Sequence, residues 1–471
     1  MPRKLRLALP VLVVLLALPA ATAKAVARMP VGFFDDPSFR WSTQLNQNLL
    51  SAQRTHSSIV HVLANWATIA PTKPANALNG NDKAYNISDL DTLVRQAQEF
   101  GFEVLLTIAQ TPKWANGGRT PNYPPTNMNT LTQFAQMLAT RYNGSKPGVG
   151  TVRRFSVWNE PNLGLFLAPQ FDSKGKIVSP ATYAKLYAAA YQGIKNGNPN
   201  AMVAAGETSN RGRNRPTGSV GNDSVAPATF AHMLAQANPK LKFDAWATHP
   251  YPSAPTGPNQ KVAYPNVAFT TINRFGADLA KWFHRPVPIW VTEYGEQTRP
   301  EQSNRFLSVS YSQQAADVKK ALQLAQASPY VEMFVWFIFR DSTAQTWFSG
   351  VLKKNGTKKP SYGAFTSSAL NVVGHSQVVA PNTKFNVVMP VPVMAYYNPT
   401  GTKVGLTWAV KQGNKNLAIA QPLLPIQKGG TISIPVNFKP VKGQSYTMTV
   451  KVNDKHGHTE STIIALLPAA T

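Results

Sequence analysis

The chain has 471 residues, 43% of them hydrophobic, no cysteine and a formal charge of +26. Its length suits one large α/β barrel plus a smaller domain and is too great for a single ordinary module. Disulfides and thiolate metal sites are excluded, and the charge favours acidic polymers such as nucleic acid, anionic cell-wall polymers or uronic-acid glycans as partners.

Residues 1–25 begin with Arg3, Lys4 and Arg6, continue through an apolar run over 7–18, and end in Ala21-Thr22-Ala23-Lys24-Ala25. A basic start, a short apolar stretch and small residues at alternate positions describe a cleavable signal peptide; the other reading is an uncleaved anchor. No later segment is apolar enough to span a bilayer. The expected mature protein is therefore exported without stable membrane insertion, either secreted or held at the cell wall. No helix-turn-helix, zinc-finger or ribonucleoprotein signature occurs, so nucleic acid is not an expected partner.

From Pro30 onward, β-prone apolar runs alternate with helical periodicity. Strands are expected over 30–36, 58–66, 103–109, 153–159, 201–206, 243–248, 288–292 and 332–339. Helices are expected over 42–54, 89–100, 131–142, 181–194, 227–237, 269–283 and 310–325, with a closing helix from Lys358 to Leu370. Strict β-then-α alternation through eight units predicts a (β/α)8 TIM barrel over 26–373. An open doubly wound sheet competes, but no glycine-rich phosphate turn follows any strand. Beyond 374 the texture changes to short alternating strands between Asn, Gly, Lys and Pro turns, which predicts a small all-β sandwich over 374–471.

Two of these strands end on a glutamate. Arg153-Arg-Phe-Ser-Val-Trp-Asn-Glu160-Pro161 stops on a proline that cannot donate to a sheet ladder, which leaves Glu160 at the strand's carboxyl end. Pro288-Ile-Trp-Val-Thr-Glu293-Tyr-Gly repeats the pattern. Carboxyl groups at the mouths of two non-adjacent barrel strands can face each other across a pocket, as glycosidic bond cleavage requires.

Trp158-Asn159-Glu160-Pro161 on a fourth strand and Thr292-Glu293-Tyr294-Gly295 on a seventh resemble the clan of retaining glycoside hydrolases with a (β/α)8 barrel, above all its cellulase-like family 5 and xylosidase-like family 39. The resemblance runs over about residues 29–370. It implies that Glu160 is the general acid/base and Glu293 the nucleophile of a double displacement on poly- or oligosaccharides. It further implies that Asn159 binds the sugar beside the nucleophile. In His249-Pro-Tyr251 the tyrosine would orient Glu293, and Trp336 would lie under the bound sugar. The clan's second-strand arginine appears in this chain as His61, whose charge depends on pH. That substitution leaves open a reading from another class, a non-catalytic glycan-binding protein on an inactivated barrel.

Without the resemblance, Asp36, Glu207 and Glu296 are the carboxylates that could stand in for the pair, and Glu207, at the end of a strand, is the strongest rival or a sugar ligand. Aromatic faces suit the C–H faces of sugars, and Trp66, Trp114, Tyr123, Phe166 and Trp347 fall in or near loops after strands. Arg211, Arg213 and Arg215 follow the fifth strand and would suit an acidic glycan. His456 and His458 beside Asp454 lack a third clear ligand, so neither a metal nor another cofactor is expected.

Overall fold

The computed structural model describes residues 29–252, 256–342 and 347–373, and from 375 to 468 all but 392–393, 396–397, 414, 429, 443, 445 and 458. The expected signal segment lies outside the described residues.

Eight parallel strands close into a barrel: Val31–Phe34, Ile59–Asn65, Glu103–Ala109, Arg154–Val157, Met202–Ser209, Ala245–His249, Ile289–Tyr294 and Val331–Phe337. The first pairs with both the second and the eighth. A helix follows each strand: Leu45–Gln53, Ser88–Glu99, Met128–Arg141, Ser179–Gly197, Pro227–Ala237, Ile272–Trp282, Tyr311–Ala327 and Pro360–Val373. This is the TIM barrel that the alternation predicts, and the catalytic ends of such strands gather on one face.

Strand alternation divides the core into two layers. Outward side chains such as Val60, Val62, Phe155, Val157, Trp246, Val291 and Trp336 pack against the helices. Inward ones, including Ile59, Leu105, Ala204, Ala245, Ala247, Trp290, Met333 and Val335, plug the barrel. Each large side chain so buried stabilises the fold by roughly 1.5–3 kcal/mol. Helices Met128–Arg141 and Ser179–Gly197 approach so closely that a Cβ on Gly193 would lie 2.1 Å from the Thr132 carbonyl oxygen. On helix Leu45–Gln53, Leu45 and Leu49 are buried, whereas Leu50 is exposed because it lies about 100° round the helix from Leu49.

The C-terminal region is all-β. One sheet runs in the order His375–Val379, Thr459–Pro468, Tyr446–Asn453, Lys403–Gln412, Lys415–Ala420, with Leu423–Pro425 also on Lys403–Gln412. Phe385–Pro390 pairs antiparallel with Thr431–Val436. Trp408, Met448, Ile432, Ile434 and Val450 join the two sheets in a separate core. Strand His375–Val379 follows helix Pro360–Val373 after one residue. Among the described residues no helix is long and apolar enough to cross a membrane.

Candidate active site

Above the apolar plug, the inward positions become polar. His61, Thr107, Ser156, Glu207, His249 and Thr292, from the second to the seventh strands, form one buried hydrogen-bonded layer. His61 Nε2 lies 2.6 Å from Thr107 Oγ1, and Thr107 Oγ1 lies 2.5 Å from Ser156 Oγ. Thr292 Oγ1 donates to Glu207 Oε2 at 2.7 Å. A buried polar layer persists only when its members satisfy one another, and these do.

Irregular backbone delivers each of three glutamates to this layer. On the fifth strand, Ala205 and Thr208 are three residues apart while their partners Trp246 and Thr248 are two apart. That one-residue bulge turns Glu207 inward, where simple alternation from Ala204 would point it out. Gly206 and Glu207 take positive φ of 98° and 47°, and a Cβ on Gly206 would meet the Trp246 ring at 2.5 Å. The seventh strand has a like irregularity, with Val291 and Tyr294 opposite Phe334 and Trp336. Thr292 and Glu293 therefore both reach the lumen side. Glu160 follows the fourth strand with φ of 40°, and its amide donates to the Glu207 carbonyl at 2.9 Å. Left-handed backbone at a non-glycine residue costs about 1–3 kcal/mol and survives where the surroundings fix it.

The three carboxyl groups meet at His249, the last residue of the sixth strand. Its Nε2 is 2.7 Å from Glu207 Oε2, and its Nδ1 is 3.0 Å from Glu160 Oε1 and 3.6 Å from Glu293 Oε2. Oxygens of Glu160 and Glu293 that share one nitrogen at these distances cannot stand ~9 Å apart, the far end of the inverting range. The Tyr251 hydroxyl donates to Glu293 Oε2 at 2.8 Å.

Charge follows from these contacts. Burial pushes the Glu293 carboxyl up to about 8; His249 and the Tyr251 hydrogen bond oppose this, and the charges of Glu160 and Glu207 reinforce it. Burial would also raise Glu207, but the hydrogen bond and charge of His249, with His61 and Ser156, hold it below its ordinary value. For His249, burial disfavours the charged ring, and Glu293, Glu160 and Glu207 together raise it well above the usual imidazole range. His61 is different: burial lowers it to about 4, so it is neutral.

The structure brings together Glu160, Glu293, His249, Tyr251 and Glu207, with Asn159 partly exposed beside Glu160. His61 lies beneath them, 1% exposed, and its Nδ1 donates to the Thr292 carbonyl at 3.0 Å rather than to a carboxylate. Trp114 stands apart, edge-on to Trp66 and donating to the Ala70 carbonyl at 2.8 Å. Trp336 faces outward; it is fully buried and its indole donates to the Ser349 carbonyl. The inward residue at that strand's end is Phe337, one position on, which packs with Tyr251 and Trp347 at ring separations of 6.4 and 5.9 Å. Phe337 was missed, and alternation from the inward Met333 and Val335 is the signal that finds it.

The rival carboxylates have other partners. Asp36 pairs with Arg40 at 3.3 Å, and Glu296 accepts from Tyr294 at 2.7 Å outside the lumen. Arg211, Arg213 and Arg215 are exposed in the loop after the fifth strand. His456 is exposed in a turn, and His458 lies outside the described residues.

Comparison with known proteins agrees with the fold. Residues 27–338 match the family model described as cellulase, glycosyl hydrolase family 5. No curated protein matches the chain. A glucosidase from Croceicoccus marinus superposes with a TM-score of 0.54 at 12% identity, over 93% of this chain and 97% of that one. The GH5_18 protein from Streptomyces cattleya, solved with GlcNAc, gives 0.52 at 15% identity over 74% and 81%. A family 39 glycoside hydrolase from Bacteroides cellulosilyticus WH2 gives 0.50 at 14% identity over 88% and 81%.

Proposed function

The chain belongs to glycosyl hydrolase family 5 and is a glycosidase, and from this we propose that it cleaves O-glycosidic bonds with retention of configuration, Glu160 serving as acid/base and Glu293 as nucleophile. The observation that carries this reading is the convergence of one oxygen from each glutamate on Nδ1 of His249, at 3.0 and 3.6 Å. Retaining sites hold their two carboxyl groups about 5–5.5 Å apart, close enough for direct attack on the anomeric carbon.

In this reading Glu160 protonates the leaving oxygen while Glu293 attacks, forming a glycosyl ester. Water then enters, Glu160 takes its proton, and the ester breaks. Tyr251 holds Glu293 by its hydrogen bond, and Phe337 and Trp347 offer apolar faces beside it. The start of the chain supports export, to the medium or the cell wall. The charge of +26 and the exposed Arg211, Arg213 and Arg215 favour an acidic glycan as substrate.

The test is reducing-sugar release from neutral and acidic polysaccharides, with Glu293→Ala as the blank and proton NMR of the first anomer formed. Release that Glu293→Ala abolishes, with the anomeric configuration kept, is the expected result. An inverted product would overturn the retaining assignment, and a fully active Glu293→Ala enzyme would overturn the residue roles.

A further inference from the structure

Among the described residues, the close contacts of Glu160, Glu207 and Glu293 with a basic group all run to one ring, His249. Three buried or half-buried carboxyl groups around one ring raise a question of charge balance that the reaction itself leaves open. His61, the other imidazole in the layer, cannot supply the charge. Its Nδ1 is committed to the Thr292 carbonyl, so its proton sits there and Nε2 accepts from Thr107.

We propose that Glu207 is a positioning residue that holds His249 as an imidazolium, and that this charge-neutral dyad fixes Glu160 and compensates the glutamate pair. The proposal rests on the reading of Glu160 and Glu293 given above. Carboxylates only accept hydrogen bonds, so the ring donates from Nε2 to ionised Glu207 at 2.7 Å, and as an imidazolium it also donates from Nδ1 to Glu160 Oε1 at 3.0 Å, an oxygen that accepts whether or not the other oxygen of that carboxyl group carries the acid's proton. Glu207 is suited to this role because it is fully buried and cannot reach bulk water or substrate. The Thr292 hydroxyl, which donates to the same Oε2 at 2.7 Å, anchors it from the seventh strand.

The bulge at Gly206 and Glu207 has a purpose in this arrangement. Without the extra residue, Glu207 would point to the helix layer and His249 would lose its permanent counterion. With it, the dyad is neutral overall, so the glutamate pair can hold one proton and one negative charge, the state from which double displacement starts. The groups facing His249 are Glu207 from the fifth strand, Glu160 after the fourth, Glu293 from the seventh, Tyr251 beyond its own strand, and the neutral His61 from the second.

The experiment is nitrogen-15 NMR of imidazole-labelled full-length protein between pH 5 and 9, with the His249 signal assigned by its loss in His249→Asn. At pH 7.5 the wild type should show both His249 nitrogens protonated, and Glu207→Gln should show a neutral ring. On the polysaccharide that the wild type hydrolyses, Glu207→Gln should lower kcat about 100-fold with KM little changed. The alkaline limb of its rate profile should move to lower pH, a shift that a purely structural role would not produce. A neutral His249 in the wild type at pH 7.5 would overturn the proposal, and so would an unchanged profile in Glu207→Gln. If Glu207→Gln does not fold, the wild-type spectrum alone decides. The NMR result is independent of turnover, so an active Glu293→Ala enzyme would defeat the functional reading and leave the imidazolium finding standing.

Discussion

The hydroxyl of Tyr251 donates to Oε2 of Glu293 across 2.8 Å, tying the loop after the sixth strand to the end of the seventh. A hydrogen bond to a charged carboxylate, the form in which Glu293 attacks, contributes about 1.5–3 kcal/mol. Tyr251→Phe should therefore lower kcat/KM roughly 10- to 100-fold without unfolding the protein. Because this bond also restrains the rise in the Glu293 pKa, the acidic limb of the profile should move to higher pH. An unchanged profile would mean that the bond is idle in the free enzyme.

Glu160 is bonded to His249 and partly open at the mouth, as a proton donor to substrate must be. Removing it should cost about 10²–10⁴-fold on natural glycosides, whose leaving alcohols need protonation. Aryl glycosides with acidic phenols need little, so Glu160→Ala should retain much of its activity on them. Equal losses on both substrate types, measured side by side, would speak against an acid role.

Glu293 is raised to about 8, mainly by burial, from an ordinary 4.5. A carboxyl raised on folding contributes most below its unfolded pKa, and that contribution is lost as pH climbs toward 8. Glu293→Gln has no charge to bury, so its melting temperature should exceed that of the wild type by more at pH 8 than at pH 5. A constant difference would show that Glu293 titrates normally.

Trp336 and Phe337 are neighbours in sequence on opposite faces of one strand. Trp336→Ala empties the helix-facing layer and should destabilise the fold by about 3–5 kcal/mol in chemical denaturation. Phe337→Ala and Trp347→Ala should instead raise KM for the sugar substrate. A large KM effect from Trp336→Ala at full stability would reverse this division.

Arg211 and Arg213 project from an exposed loop on the mouth side. If the substrate is uronate-bearing, its hydrolysis should weaken with salt and in Arg211→Gln or Arg213→Gln, with neutral substrates unaffected. Salt-independent hydrolysis of an acidic polymer would leave the loop without a role in recognition.

Much of this site was legible in the chain. The alternation of apolar runs and helical periods survives in any environment because both report burial of one face, and Pro161 marks where the strand before Glu160 must stop. Glu207 was harder to place. Alternation from Ala204 points it away from the lumen, and the extra residue between Ala205 and Thr208 that reverses this has no signature beyond Gly206. His61 lies on the second strand, yet it is only the third residue of Ile59–Asn65 and its partner is the carbonyl of Thr292, one residue before the glutamate.

The sequence by itself determined the barrel, the all-β region after it and the two strand-end glutamates, because periodicity and turn chemistry act over a few neighbouring residues. Only the tertiary structure decided that Phe337 and not Trp336 faces the mouth, that a bulge aims Glu207 inward, and that His249 gathers three carboxyl groups. Those outcomes depend on register between strands that are distant in sequence, where one residue more or less exchanges the inside of the barrel for the outside.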